Sequence, residues 1–197
     1  MKQRELVLLE VLSAFFQRKQ TRFTQLGLSK SLGLSLSAVN GEVRRLSAMG
    51  AVEISPRGFR VVDAEKILFH WCNERDLQRD VIYRTRVDAP VSQVEKSMPP
   101  GAVYTAYSAC KFALGHSPAD YGEVLVYAMP DAAQEIKRRF PAKAGPPNLT
   151  VLAGSEALER AAQGGMAPLA LVYADLWNLK EWYAKEFRKS IEARLGL

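Results

Sequence analysis

Cysteine and histidine are scarce: two of each in 197 residues. Cys72 and Cys110 are too few and too widely separated for a disulfide framework or a zinc site, so two reduced thiols are expected. Neither His70 nor His116 has a second histidine at metal spacing. No apolar run approaches the roughly 20 residues that span a bilayer. The first twenty residues are charged and amphipathic and lack the apolar stretch of a signal peptide. A cytoplasmic protein with no membrane partner is therefore expected. No Walker-type loop occurs, and no Ser-His-Asp or Cys-His set assembles by spacing. Nucleotidyl transfer needs a Gly-Ser turn and paired carboxylates. Gly115-His116-Ser117 precedes Asp120 and Glu123, but these stand three apart where one strand face requires two, and Pro118 intervenes. These absences argue against an enzyme and call for no cofactor, metal or catalytic residue.

What is present is an ordinary globular mix, 48% hydrophobic and 24% charged, with net charge +6. The distribution of that charge matters more than its sum. Residues 1–63 hold ten Lys and Arg against five Asp and Glu, whereas the remaining 134 hold 17 against 16. A polyanionic partner would be met by the first third of the chain.

Leu6, Leu9, Leu12, Phe15 and Phe16 recur at helical spacing, with Lys2, Arg4, Glu5 and Glu10 on the opposite face, which predicts a first helix ending near 17–20. Thr24 is a natural cap for a second helix over 25–32 that stops at Gly33. Ser35 caps a third, whose Val39, Val43 and Leu46 form a buried stripe and which Gly50 closes. Strands over 51–55 and 59–62 flank Pro56-Arg57-Gly58, turn chemistry that places Arg57 at a hairpin tip. A helix over 64–77 with Ile67, Leu68 and Trp71 inward could link two domains. Beyond residue 80, strands at 81–87, 102–105, 123–129 and 148–152 alternate with helices at 91–98, 106–114, 131–140, 155–163 and 171–195, the last with a candidate break near Leu179. That alternation reads as a second, mixed α/β domain.

The order α-α-α-β-β with a basic hairpin tip is that of a winged helix-turn-helix. Leu26, Val39, Val43 and Leu46 are expected to hold the second and third helices together. Leu36, Ser37, Asn40, Gly41 and Arg44 then fall on the third helix's outer face. Such a helix fits the major groove, about 12 Å wide, where asparagine can pair with adenine and arginine with guanine. Gly41 allows close approach at a cost of roughly 1 kcal/mol of helix propensity. Arg57 and Arg60 would hold phosphates from the hairpin, with Arg45 and Lys30 adding backbone contacts. The candidate DNA-binding set is Ser37, Asn40, Gly41, Arg44, Arg45, Arg57 and Arg60. The same order of elements also serves as a protein–protein module or a small-ligand-sensing regulator.

The stretch GLSKSLGLSLSAVNGEVRRLSAMGAVE resembles the winged helix-turn-helix of MarR-like and ArsR-like regulators. GAVYTAYSACKFALG (101–115), EVLVYAM, NLTVL and PLALVYADLWNL (168–179) resemble the AbiEi-type antitoxin family of type IV toxin–antitoxin systems, with Ala174, Asp175, Leu176, Trp177 and Asn178 on that family's late helix motif. The resemblance spans nearly the whole chain. It implies a transcriptional repressor that binds double-stranded DNA, regulates its own operon, and has a cognate toxin. Inverted-repeat operators imply a homodimer. Asp175 is read as a helix-start cap or arginine partner, and Trp177, Trp182, Tyr183 and Phe187 as core or dimer face. The expected architecture is α+β: a winged helix-turn-helix at 1–63, a linker helix at 64–79 and an α/β domain at 80–197.

Overall fold

A computed structural model describes all 197 residues, Met1–Leu197. The chain is a mixed α/β protein with two sheets, divided into two units, Met1–Arg75 and Asp76–Leu197.

In the first unit, α1 (Gln3–Arg18) is followed by a two-residue strand β1 (Arg22–Phe23), then α2 (Gln25–Leu32) and α3 (Leu36–Ala48). Strands β2 (Val52–Ser55) and β3 (Gly58–Val61) form a hairpin, and α4 (Ala64–Glu74) closes the unit. The caps explain the boundaries. Thr24 Oγ1 accepts the Gly27 amide at 3.0 Å, Ser35 Oγ accepts that of Ala38 at 3.1 Å, and Asp63 Oδ1 accepts that of Lys66 at 2.8 Å. Gly33 ends α2 in the left-handed conformation. The sheet order is β1-β3-β2, all antiparallel, with Arg22 opposite Arg60 and Phe23 opposite Phe59. The core is drawn from α1 (Leu8, Val11, Leu12), α3 (Val39, Val43, Leu46) and α4 (Ile67, Leu68, Trp71), all buried. The helix expected as a linker thus belongs to the first unit, its apolar stripe spent on that core.

Two expectations are corrected here. Leu26 is 54% exposed and does not join α2 to α3; Leu28, at 5%, is the buried residue of α2. A two-turn helix with leucines at 26, 28 and 32 has no face fixed by its own pattern, and contact with the neighbouring helices chooses it. Glu5, placed on the polar face of the first helix, is buried. Its carboxylate accepts from Trp71 Nε1 on α4 at 3.3 Å, from Nη1 of Arg75 just past the end of α4 at 2.7 Å, and from the Lys2 amide at 2.8 Å. Burial pushes that carboxyl upward, but the Lys2 amide, Arg75 and Trp71 outweigh it and hold it below the usual carboxylate range.

The second unit starts with a short 3-10 turn (Leu77–Asp80). Its four-stranded sheet has the order β4-β7-β6-β5: β4 (Val81–Thr85), β5 (Val103–Tyr104), β6 (Val124–Ala128) and β7 (Leu149–Ala153). Strands β6 and β7 are parallel and the two edges antiparallel. The parallel pair requires a crossover, supplied by α7 (Pro130–Arg139). Every residue of β6 is buried, as in a strand covered on both faces. Val124, Val126 and Ala128 join Ile136, Leu149, Val151 and Val94 of α5 (Val91–Lys96) in one cluster. From the other face Tyr127 reaches α9 (Leu169–Trp177), which packs with α6 (Ala106–Leu114) and α10 (Ala184–Leu195). A short α8 (Glu156–Ala161) is capped by Ser155. Asp131 lies in the first turn of α7 and does not cap it, since Met129 is the cap residue and Pro130 fills the first helical position. No helix is long and apolar enough to cross a membrane.

Candidate nucleic-acid interface

Helix α3 presents an outer face that its buried stripe leaves free. Leu36, Ser37, Asn40, Gly41 and Arg44, at the one-face spacing of a helix, line a shallow depression of about 430 Å³. Leu36 is 48% exposed, and Ser37, Gly41 and Arg44 are exposed with it. A methyl group at Gly41 would meet no neighbour within 4 Å, so nothing inside the protein requires a glycine there. Asn40 is half-buried, and its Nδ2 donates to Gln25 Oε1 on α2 at 2.9 Å, which leaves the asparagine oriented but partly engaged. Arg44 makes no ion pair.

Arg45 is placed differently from its neighbours. It turns out of the depression and pairs with the buried Glu42 at 3.3 Å, its own side chain 58% exposed. That contact reaches a carboxylate on the inner side of α3.

The hairpin forms the second element. Its tip is fixed by Gly58, whose φ of +145° and whose position allow no side chain: a Cβ there would sit 2.1 Å from the Phe23 carbonyl oxygen. Phe23 and Phe59 stack at 5.4 Å behind it. Between α2 and the hairpin lies an open cleft of about 680 Å³ whose walls include Arg22, Thr24, Ser31, Arg57 and Arg60. Arg60 pairs with Glu53 at 2.8 Å, both side chains exposed, a contact worth little in water. Arg57 and Arg22 have no carboxylate partner. Arg22 was not among the expected residues. A two-residue strand at 22–23 has no periodicity of its own, and only the long-range pairing with β3 brings Arg22 beside Arg57 and Arg60.

Asp175, read as a helix-start residue, is the seventh of the nine residues of α9, fully buried. It accepts from Thr105 Oγ1 at 2.6 Å and Tyr127 OH at 2.8 Å, so it ties α9 to the sheet. Phe187 is buried in an aromatic cluster with Tyr107 and Tyr121, whereas Trp182 is 79% exposed and Trp177 lies under Arg188 at 4.6 Å. The aromatic stretch is thus core at one end and surface at the other. Glu95 is buried among Lys111, Tyr121 and Tyr104. Cys110 is buried, and burial pushes its thiol up to about 12, which keeps it a neutral core residue. No group of three or more His, Cys, Asp or Glu side chains is arranged to hold a metal ion.

The chain matches no family model and no curated protein sequence.

Proposed function

We propose that Met1–Arg75 acts as a winged helix-turn-helix and that the protein is a sequence-specific regulator of transcription, binding double-stranded DNA as a homodimer. The observation that carries this reading is the outer face of α3. Ser37, Gly41 and Arg44 stand exposed on one side of a thirteen-residue helix, at a glycine that no internal contact demands. In this reading α3 enters the major groove, Arg44 and Asn40 meet base edges, and Gly41 allows the backbone close. Arg57, Arg60 and Arg22 hold phosphates from the cleft beside the hairpin. The pairing of Arg60 with Glu53 gives way to a phosphate at small cost, because both groups are solvated.

The sequence resemblance to AbiEi-type antitoxins supports autoregulation of an operon and a cognate toxin as the second unit's partner. The stretches that carry the resemblance form β5, α6, β6, β7 and α9, one contiguous sheet-and-helix assembly.

The test is a fluorescence-anisotropy titration with DNA from upstream of the protein's own gene, against scrambled competitor, at two salt concentrations. Competitor-resistant binding is expected. Arg57→Ala should weaken binding to all sequences and lower the salt slope by about one unit. Asn40→Ala should weaken the specific site by about 1–3 kcal/mol and leave nonspecific binding intact. Binding that disappears with salt and ignores sequence would favour a protein–protein module instead.

A further inference from the structure

Two buried side-chain polar atoms without a hydrogen-bond partner, Glu42 Oε1 and His70 Nε2, face each other at one place. Glu42 Oε1, on the inner side of α3, lies 4.0 Å from His70 Nε2 on α4. Glu74 Oε2, one turn along α4, lies 3.9 Å from the same nitrogen. The Glu42 side chain is 1% exposed. Leaving a buried carboxylate oxygen without a hydrogen bond, 4.0 Å from an imidazole nitrogen, is costly.

The gap is informative. A direct hydrogen bond spans about 2.8 Å, and two such bonds through a bridging water at a tetrahedral angle span about 4.6 Å. At 4.0 Å the pair is too far for the first and too close for the second. A small rotamer adjustment closes it once a hydrogen stands between the two atoms, and where the neutral imidazole keeps its own hydrogen on Nδ1 that hydrogen comes from solvent. A metal ion is a poorer occupant, because the Arg4 guanidinium of α1 already sits 2.7 Å from Glu74 Oε2. The other charged group facing the site is Arg45 of α3, 3.3 Å from the second Glu42 oxygen.

We propose that Glu42 and His70 form a proton-binding site, in which one proton taken from solvent lies between Glu42 Oε1 and His70 Nε2 and ties α3 to α4. No bond but O–H or N–H forms, and no redox partner is needed. The site sits on the side of α3 opposite its outer face, so proton uptake fixes the helix whose other side is proposed to read DNA. That consequence rests on the DNA-binding reading; the proton site does not. Burial, opposed by Arg45 and His70, holds the Glu42 carboxyl above the usual range. The sign then follows: a carboxyl raised in the folded state contributes stability that is full below its ordinary value and lost as pH rises through the folded one.

The DNA-free full chain decides the matter. Wild type, Glu42→Gln and the control Glu123→Gln, which removes a half-buried carboxyl that is also raised, are melted at pH 8 and pH 5.5, and infrared difference spectra are recorded between the same pH values. Glu42→Gln places an amide donor opposite His70 at every pH. It should therefore melt higher than wild type at pH 8, and lose the portion of the protonated-carboxyl band that Glu123→Gln retains. Glu42→Gln with the full wild-type band and an unchanged upward shift on acidification would overturn the proposal. So would a wild type with no such band. DNA titrations of the same variants form a separate arm. Affinity for DNA should rise on acidification in wild type and stay level in Glu42→Gln; absence of DNA binding at every pH would sink the proposed function and leave the proton site to the melting and infrared results.

Discussion

Gly41→Ala should make the protein more stable and a worse DNA binder at once. The glycine lies inside α3, between Asn40 and Glu42, and is exposed. A Cβ there meets nothing within 4 Å, so the substitution has no steric cost in the folded state. Alanine gains helix propensity because the unfolded chain loses freedom that glycine had, about 0.8–1 kcal/mol in a helix interior. For a unit of this size each kcal/mol moves the midpoint by about 4–8 °C, so a rise of about 3–8 °C is expected. Against DNA the same methyl projects from the face where the helix backbone would approach base edges. A loss of about 1–3 kcal/mol in specific affinity follows, the size of one disrupted base contact. Thermal melting and anisotropy on the same preparation measure both. The reasoning fails if the variant is stabilised and binds its operator as tightly as wild type, since α3 would then not face the groove with this surface. It fails differently if stability drops, because the depression would hold a contact that the geometry does not contain.

Gly58→Ala is the opposite case. Its Cβ would lie 2.1 Å from the Phe23 carbonyl oxygen at a φ of +145°, so a loss of roughly 2–4 kcal/mol in urea unfolding is expected, and a loss under 0.5 kcal/mol would show the hairpin tip to be free. Arg75→Met leaves the buried Glu5 carboxylate without its cation and should cost about 3–5 kcal/mol, while Glu5→Leu combined with Arg75→Met recovers most of it. Trp71 fluorescence in a Trp177→Phe, Trp182→Phe background reads this, and a single variant costing under 1 kcal/mol refutes the ion pair's role. The depressed Glu5 carboxyl contributes stability present above its ordinary value and lost as pH falls through the folded one, so Glu5→Gln should flatten the acid limb of that melting curve. Asp175→Ala strands the Thr105 and Tyr127 hydroxyls in the core and should cost about 2–5 kcal/mol; a melting temperature within a degree of wild type would remove Asp175 from the list of structural supports.

What the sequence discloses depends on how far apart the cooperating residues stand. The depression on α3 is local: 36, 37, 40, 41 and 44 share a face because of helical periodicity alone, and the stripe at 39, 43 and 46 fixes which face is inward. The caps Thr24, Ser35 and Ser155 are local too, each satisfied by an amide three residues on. Leu26 and Arg22 were misread or missed because their fates are set elsewhere. Leu26 sits on a helix too short to declare a face, and Arg22 gains its place through pairing with Arg60, 38 positions away. Glu5 and Glu42 show the same limit most clearly. On a helical wheel Glu5 falls among charged residues on the polar face, and the sequence reading gives Glu42 no placement. Each is buried because a second helix brings a partner to it, Arg75 and Trp71 in one case and His70 in the other. A buried carboxylate makes sense only with its partner, and the partner lies 28 to 70 residues along the chain. The features that read forward from sequence are therefore those that face outward on a regular element, where the proposed interface lies. Those that need the fold are inward-facing charges, where the proposed control of that interface lies.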